Sequence, residues 1–155
     1  MDIKSFSKLC IISFIFTFSI SHAQTCVVSK YIINEGKNAG TTNVKIVLTI
    51  YSKDKKNIEA SAKLCAIRAL MFNGIEKTSF HSPMVEQGEV EFKNVYPDFF
   101  ISLQHIVDNY ILSCEQVSEF KQGDSKKGTL FKVEVKAIQL RKFLEKNNFT
   151  KKSGI

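Results

Sequence analysis

An α+β fold of two layers, an antiparallel sheet covered on one face by helices, is what this sequence predicts, and three stretches carry the expectation. In "VKIVLTIYS" (Val44 to Ser52), Val44, Ile46, Leu48 and Ile50 share one face while Lys45, Thr49 and Tyr51 share the other, the period of two expected of a strand. In "TLFKVEVKAI" (Thr129 to Ile138), Phe131, Val133, Val135 and Ala137 alternate with Lys132, Glu134 and Lys136, which describes an antiparallel strand with one wet face. Between these runs Ile58, Ala62, Cys65, Ala66, Ala69 and Phe72 recur at helical spacing. Read along the chain, the order is ββα(β)αββα, and antiparallel strands with helices on one face make a two-layer sandwich.

The first strand is "CVVSKYII", Cys26 to Ile33, rich in β-branched residues; the turn-forming "NEGKNAGTTN" joins it to Val44–Ser52 as a hairpin. Val47 interrupts the polar side of the second strand, so its outer face is expected to be partly covered. The helix Asn57 to Asn73 follows, with Asp54 as its expected N-cap and Asn73-Gly74 supplying the left-handed residue that ends it. Its stripe is alanine and cysteine at the centre, so its axis can lie close to the sheet. Residues 76 to 93 are the least regular stretch, with a short strand at Glu89 to Phe92; a loop of that length commonly carries function or is poorly ordered.

A second helix is predicted from Val95 to Asn109, capped by Asn94, with Pro97 tolerated in its first turn and Phe99, Phe100, Leu103, Ile106, Val107 and Tyr110 on its apolar face. "YILSCEQVSEF" and the strand at Thr129 then form a hairpin around "KQGDSKKG". A last helix, "IQLRKFLEKNNF", offers Leu140, Phe143 and Leu144 to the body, and the tail 151–155 is expected to fray.

Residues 1 to 23 have the layout of a secretory signal: Lys4 and Lys8 precede the apolar Leu9 to Ile20, and Ser21-His22-Ala23 supplies small residues for a leader peptidase. Twelve residues of helix rise about 18 Å, short of the roughly 30 Å hydrocarbon core, so no stable membrane span is expected after cleavage. Cleavage between Ala23 and Gln24 is favoured over lipidation at Cys26. The residues before that cysteine, Ala23-Gln24-Thr25, lack the leucine and the small neighbour of a lipoprotein signal. The product is one globular domain, residues 24–150, in the periplasm or secreted.

Of 155 residues, 22 are Lys or Arg and 15 Asp or Glu, a net charge of +7. The lysines are dispersed, with pairs at Lys55-Lys56, Lys126-Lys127 and Lys151-Lys152, so a solvated surface is expected rather than a nucleic-acid face. An anionic envelope component is one expected partner, a protein another. Cys26, Cys65 and Cys114 survive cleavage into an oxidising compartment. Cys65 falls on the buried side of its helix, where cysteine behaves as a small hydrophobe. Cys26 and Cys114 each stand near the start of a strand, and the possible disulfide is Cys26–Cys114. The absence of CxxC removes thioredoxin-like chemistry and a zinc knuckle together.

Three pieces, "AKLCAIRALMFNGI" (Ala62 to Ile75), "YILSCEQV" after a Phe-rich helix, and "LRKFLEK" (Leu140 to Lys146), resemble an uncharacterised family of small secreted bacterial proteins. The rhythm Ala62, Ala66, Ala69, Leu70, Phe72, Gly74, Ile75 is the most characteristic part. In architecture alone, the strand, Ala-rich helix and closing hairpin are similar to the N-terminal domain of a periplasmic flagellar-assembly protein. The resemblance implies an envelope-associated, non-enzymatic module and brings no catalytic residue with it.

The chemistry-bearing residues point the same way. There is no HExxH, GxSxG, Walker loop or dinucleotide glycine run. His81, Glu86, Glu89 and Glu91 share the irregular stretch but match no metal-ligand spacing, and no cofactor is implied. His105 is expected at the edge of its helix. A thiol or hydrolase site near His81 and Cys114 is the alternative, and it needs an exposed thiolate beside a positive neighbour. The expected function is therefore that of an exported, non-enzymatic binding module of the bacterial cell envelope.

Overall fold

The computed structural model describes residues 25–34, 43–52, 56–74, 80–122 and 126–151. The expected cleavage site Ala23-Gln24, the expected cap Asp54 and the tail beyond Lys151 lie outside the described residues. Within them run β1 (Thr25–Asn34), β2 (Asn43–Tyr51), α1 (Ile58–Phe72), α2 (Glu89–Val95), α3 (Phe99–Tyr110), β3 (Ile111–Gln122), β4 (Lys126–Val135) and α4 (Ala137–Lys146). The fold is α+β. Its four strands form one antiparallel sheet in the order β1-β2-β4-β3, so both hairpins are present and β2 pairs with β4 at the centre.

Register explains the core. Val44, Ile46 and Leu48 of β2 stand opposite Val135, Val133 and Phe131 of β4, and all six are buried under the helices. From α1 come Ala62, Ala66, Ile67, Leu70 and Met71, from α3 Leu103 and Val107, and from α4 Leu140 and Leu144, joined in a single cluster. Alanine at two of the α1 positions lets that helix lie low across the sheet, touching all four strands. The outer face of the sheet is closed locally: Thr49, flanked in register by Val27 and Leu130, keeps only 5% of its surface exposed. Farther along, the Phe120 ring lies where Gly128 has no Cβ, at 6.2 Å and edge-on to Tyr51.

The end of α1 shows why residues 80–88 are not a free loop. A helix leaves its last carbonyls without partners. Met84 and Val85 donate their backbone N–H groups to the Leu70 and Met71 carbonyls, at 3.4 and 3.0 Å, and bury their side chains with Phe80. Gly74 makes the approach possible. It has φ +68°, and a Cβ there would lie 2.6 Å from the His81 carbonyl oxygen.

Two sequence expectations are corrected between β2 and β3. Glu89–Phe92 is not a strand but the first turn of α2, which runs to Val95 and includes Asn94. The alternation of Glu89, Val90, Glu91 and Phe92 imitates a period of two, yet only Phe92 is buried and Val90 is 77% exposed. Acidic Glu89 and Glu91 at its start and Lys93 at its end suit the helix dipole. The helix predicted from Val95 begins at Phe99 instead. Pro97 disfavours helical geometry at Tyr96, which adopts φ −126° and ψ 67°, so the chain breaks into α2 and α3 with a turn between.

Candidate functional site

That turn is one wall of a cleft of about 450 Å³ at the helical end of the molecule. Tyr96, Pro97 and Phe99 come from the break, Leu103 and Ile106 from one face of α3, and Phe143, Asn147 and Phe149 from the end of α4. Phe149 reaches it through a tight C-terminal turn. Asn148 takes the left-handed conformation (φ 58°), and the Phe149 N–H donates to the Leu144 carbonyl at 2.9 Å, the six-residue closure of a Schellman motif. The chain is thereby thrown back over the rings.

Phe149 lies 4.8 Å from Phe99, 5.0 Å from Tyr96 and 5.8 Å from Phe92 between ring centroids, all edge-to-face. Phe92, fully buried beneath them, meets Phe99 at 5.0 Å and Phe72 at 5.5 Å, both edge-on. Such pairs contribute roughly 0.5–1.5 kcal/mol each beyond area burial. These contacts brace the floor of the cleft. On the far side of this cluster, the Arg68 guanidinium sits 5.8 Å over the Phe100 ring and is ion-paired with Glu89.

The polar lining of the cleft is Asp98, Ser102, Asn147 and the phenol of Tyr96. Asp98 occupies the N-cap position of α3 without making a side-chain capping bond, and among the described residues its carboxylate has no ion-pair partner. Asn147 donates Nδ2 to the Phe143 carbonyl at 2.8 Å, which leaves its Oδ1 as an acceptor. Among the described residues no histidine, cysteine, lysine or arginine lines the cleft. Val95, in the lining, is 53% exposed.

The residues singled out in the sequence lie elsewhere. The possible Cys26–Cys114 disulfide is corrected: Cys26 is bridged to Cys65, with their Cα atoms 6.5 Å apart, and Cys114 is a free thiol. Strand order is the reason. Cys26 is on β1 and Cys114 on β3, the two outer strands, and three strand spacings put them about 14 Å apart, beyond the span of a disulfide. Cys65 lies on the side of α1 that faces the sheet, half-buried, within reach of Cys26.

Nor do His81 and Cys114 meet. His81 abuts Gly74 past the end of α1, whereas Cys114 feels the charges of Glu59 and Lys63 near its start, a separation of roughly 16 Å or more of helix rise. Burial pushes the Cys114 thiol up to about 11, and the Glu59 and Asp108 carboxylates add to the rise against the opposing Lys63. Lys63 itself is spoken for, with its Nζ 2.9 Å from Glu59 and 3.0 Å from Asp108; those hydrogen bonds hold its ammonium well above the ordinary lysine value. This environment protects a thiol rather than activating it. His81, Glu86, Glu89 and Glu91 do not gather either: Glu86 pairs with Lys151 at 2.9 Å and Glu89 with Arg68. No group of three or more metal-ligating side chains occurs among the described residues. His105 is exposed on α3.

Sequence reasoning found the rings of α3 and α4 but not the cleft, because residues 95–106 and 143–149 are joined only by tertiary packing. Asn147-Asn148 was the available signal, since asparagine is the commonest residue after glycine in the left-handed turn that ends a helix. No protein-family model, curated protein or solved structure matches the chain.

Proposed function

We propose that this protein is an exported binding module of the bacterial cell envelope, without catalytic activity of its own, that contacts its partner through the aromatic cleft at the α2–α3 turn. The observation that carries the export half is the Cys26–Cys65 bridge. Disulfides persist in the periplasm and outside the cell and are rare in the reducing cytosol. The same bridge occupies the Cys26 sulfur, so it competes with lipidation there and supports cleavage between Ala23 and Gln24. The resemblance of Ala62–Ile75 to small secreted proteins points in the same direction.

The binding half rests on the cleft. It is apolar, braced by rings, of a size that suits a small ligand or a pair of side chains, and carries a few polar groups for orientation. Its described lining offers one carboxylate and the hydroxyls of Tyr96 and Ser102 but no imidazole or thiol to activate them, an arrangement suited to holding rather than to transforming. Intact mass spectrometry of the protein from fractionated cells tests the reading. The expected species begins at Gln24, lies in the periplasm or medium, and is two hydrogens lighter than its reduced form. Full-length chain in the cytosol with free Cys26 and Cys65 would overturn it.

A further inference from the structure

We infer that the cleft is specific for a small organic cation, an amine carried on an aromatic or aliphatic body. This rests on the reading of the cleft as the binding surface and adds the chemistry of its ligand. The chain as a whole is basic, at +7, yet among the described residues the only formal charge in the cleft lining is the carboxylate of Asp98. That carboxylate is left over: it neither caps α3 nor pairs with a cation among the described residues. An unpaired carboxylate at the edge of an apolar site is satisfied by a positive ligand and repels a negative one.

The neutral polar groups agree. Ser102 can accept through its hydroxyl, and Asn147, with its Nδ2 committed to Phe143, presents an acceptor. Carboxylate, hydroxyl and amide oxygen together suit an ammonium, which has three donors and no acceptor. The walls suit the rest of the ligand. Tyr96, Phe99 and Phe149 present π-systems of the kind that attract cations, and the adjoining Phe100 ring already holds the Arg68 guanidinium at 5.8 Å. A dispersed basic surface around this acidic cleft also keeps polyamines of high charge away while admitting a monocation with an apolar body.

The test uses the exported, oxidised chain and three probes of nearly equal shape: 3-phenylpropylamine, 3-phenylpropan-1-ol and 3-phenylpropionate, titrated by calorimetry and by amide chemical shifts. The amine is expected to bind about tenfold more tightly than the alcohol, a difference of the order that one carboxylate and one cation–π contact supply, with the acid weakest. Shifts should concentrate at residues 96–106 and 143–149. In D98N the amine's advantage over the alcohol should vanish while the alcohol's affinity stays; Asp98 is exposed and bonds no backbone group through its side chain, so an unchanged urea midpoint is expected. S102W, which fills the cleft, should abolish all three. The inference is overturned if the three probes bind alike, if none binds, or if the preference for the amine survives D98N. Equal binding of the three probes with shifts at residues 96–106 and 143–149 would leave the binding reading standing without this specificity, and the export reading keeps its own mass and fractionation test in every case.

Discussion

The two ends of α1 are packed on opposite principles. Over the sheet its contacts are small and smooth: Ala62 and Ala66 let the helix sit against the aliphatic rows of β2 and β4, and the Cys26–Cys65 bridge fastens the outer strand β1 to it. Beyond Phe72 the material changes to rings, where Phe92, Tyr96, Phe99, Phe100 and Phe149 interlock edge-to-face between short helices. The first region derives order from backbone pairing and register, and its side chains merely fill. The second joins helices that share no backbone ladder with one another, so the shapes of the side chains set the geometry and leave the cleft between them.

If that contrast is right, the largest single-residue effect should come from the aromatic end. Phe92→Ala removes the ring at the centre of the cluster and should cost about 4 kcal/mol in urea unfolding, with loss of the chemical-shift dispersion of residues 96–106. Reducing the bridge, or Cys65→Ser, should follow closely. A crosslink between positions 39 apart restricts the unfolded chain by about 3 to 4 kcal/mol, and here the damage should appear in the hydrogen exchange of β1 while the rings stay ordered. Ala66→Leu should cost about 2 kcal/mol by forcing α1 off the sheet, measured as a lowered melting temperature with no change at the cleft.

The smallest effect expected is the pH response of Cys114. Its thiol is raised in the folded state to about 11 from an ordinary 9.0, so the unfolded chain loses this proton first. The contribution to stability is complete below pH 9 and is lost as pH rises towards 11. A stability profile over that window should fall for the wild type more than for Cys114→Ala. Slow alkylation by iodoacetamide at pH 8 would show the same protection directly.

The same contrast governs what could be read in advance. Strands β2 and β4, helix α1 and the apolar faces of α3 and α4 were legible because a period of two or of 3.6 residues writes burial straight into the chain. "EVEF" was misread because seven residues are too few to separate the two periods, and the Phe92 contact that decides between them is tertiary. Pro97 interrupts a helical pattern that runs on through it, and its effect on Tyr96 is local to the sequence. Cysteine pairing stayed hidden for a different reason: periodicity gives strands but not their order, and order alone separates Cys26 from Cys114. The position of Phe149 depends on one left-handed residue, Asn148, that a helical pattern continues straight through.

Pairing Cys26 with Cys65 rather than with Cys114 also has a bearing on biogenesis. If the chain is exported as proposed, it leaves the translocation pore amino end first, so the sulfur at position 26 meets that at position 65 before the third has cleared the channel. An oxidase acting on the first available pair therefore makes the native bond, and no shuffling by an isomerase is required to reach it.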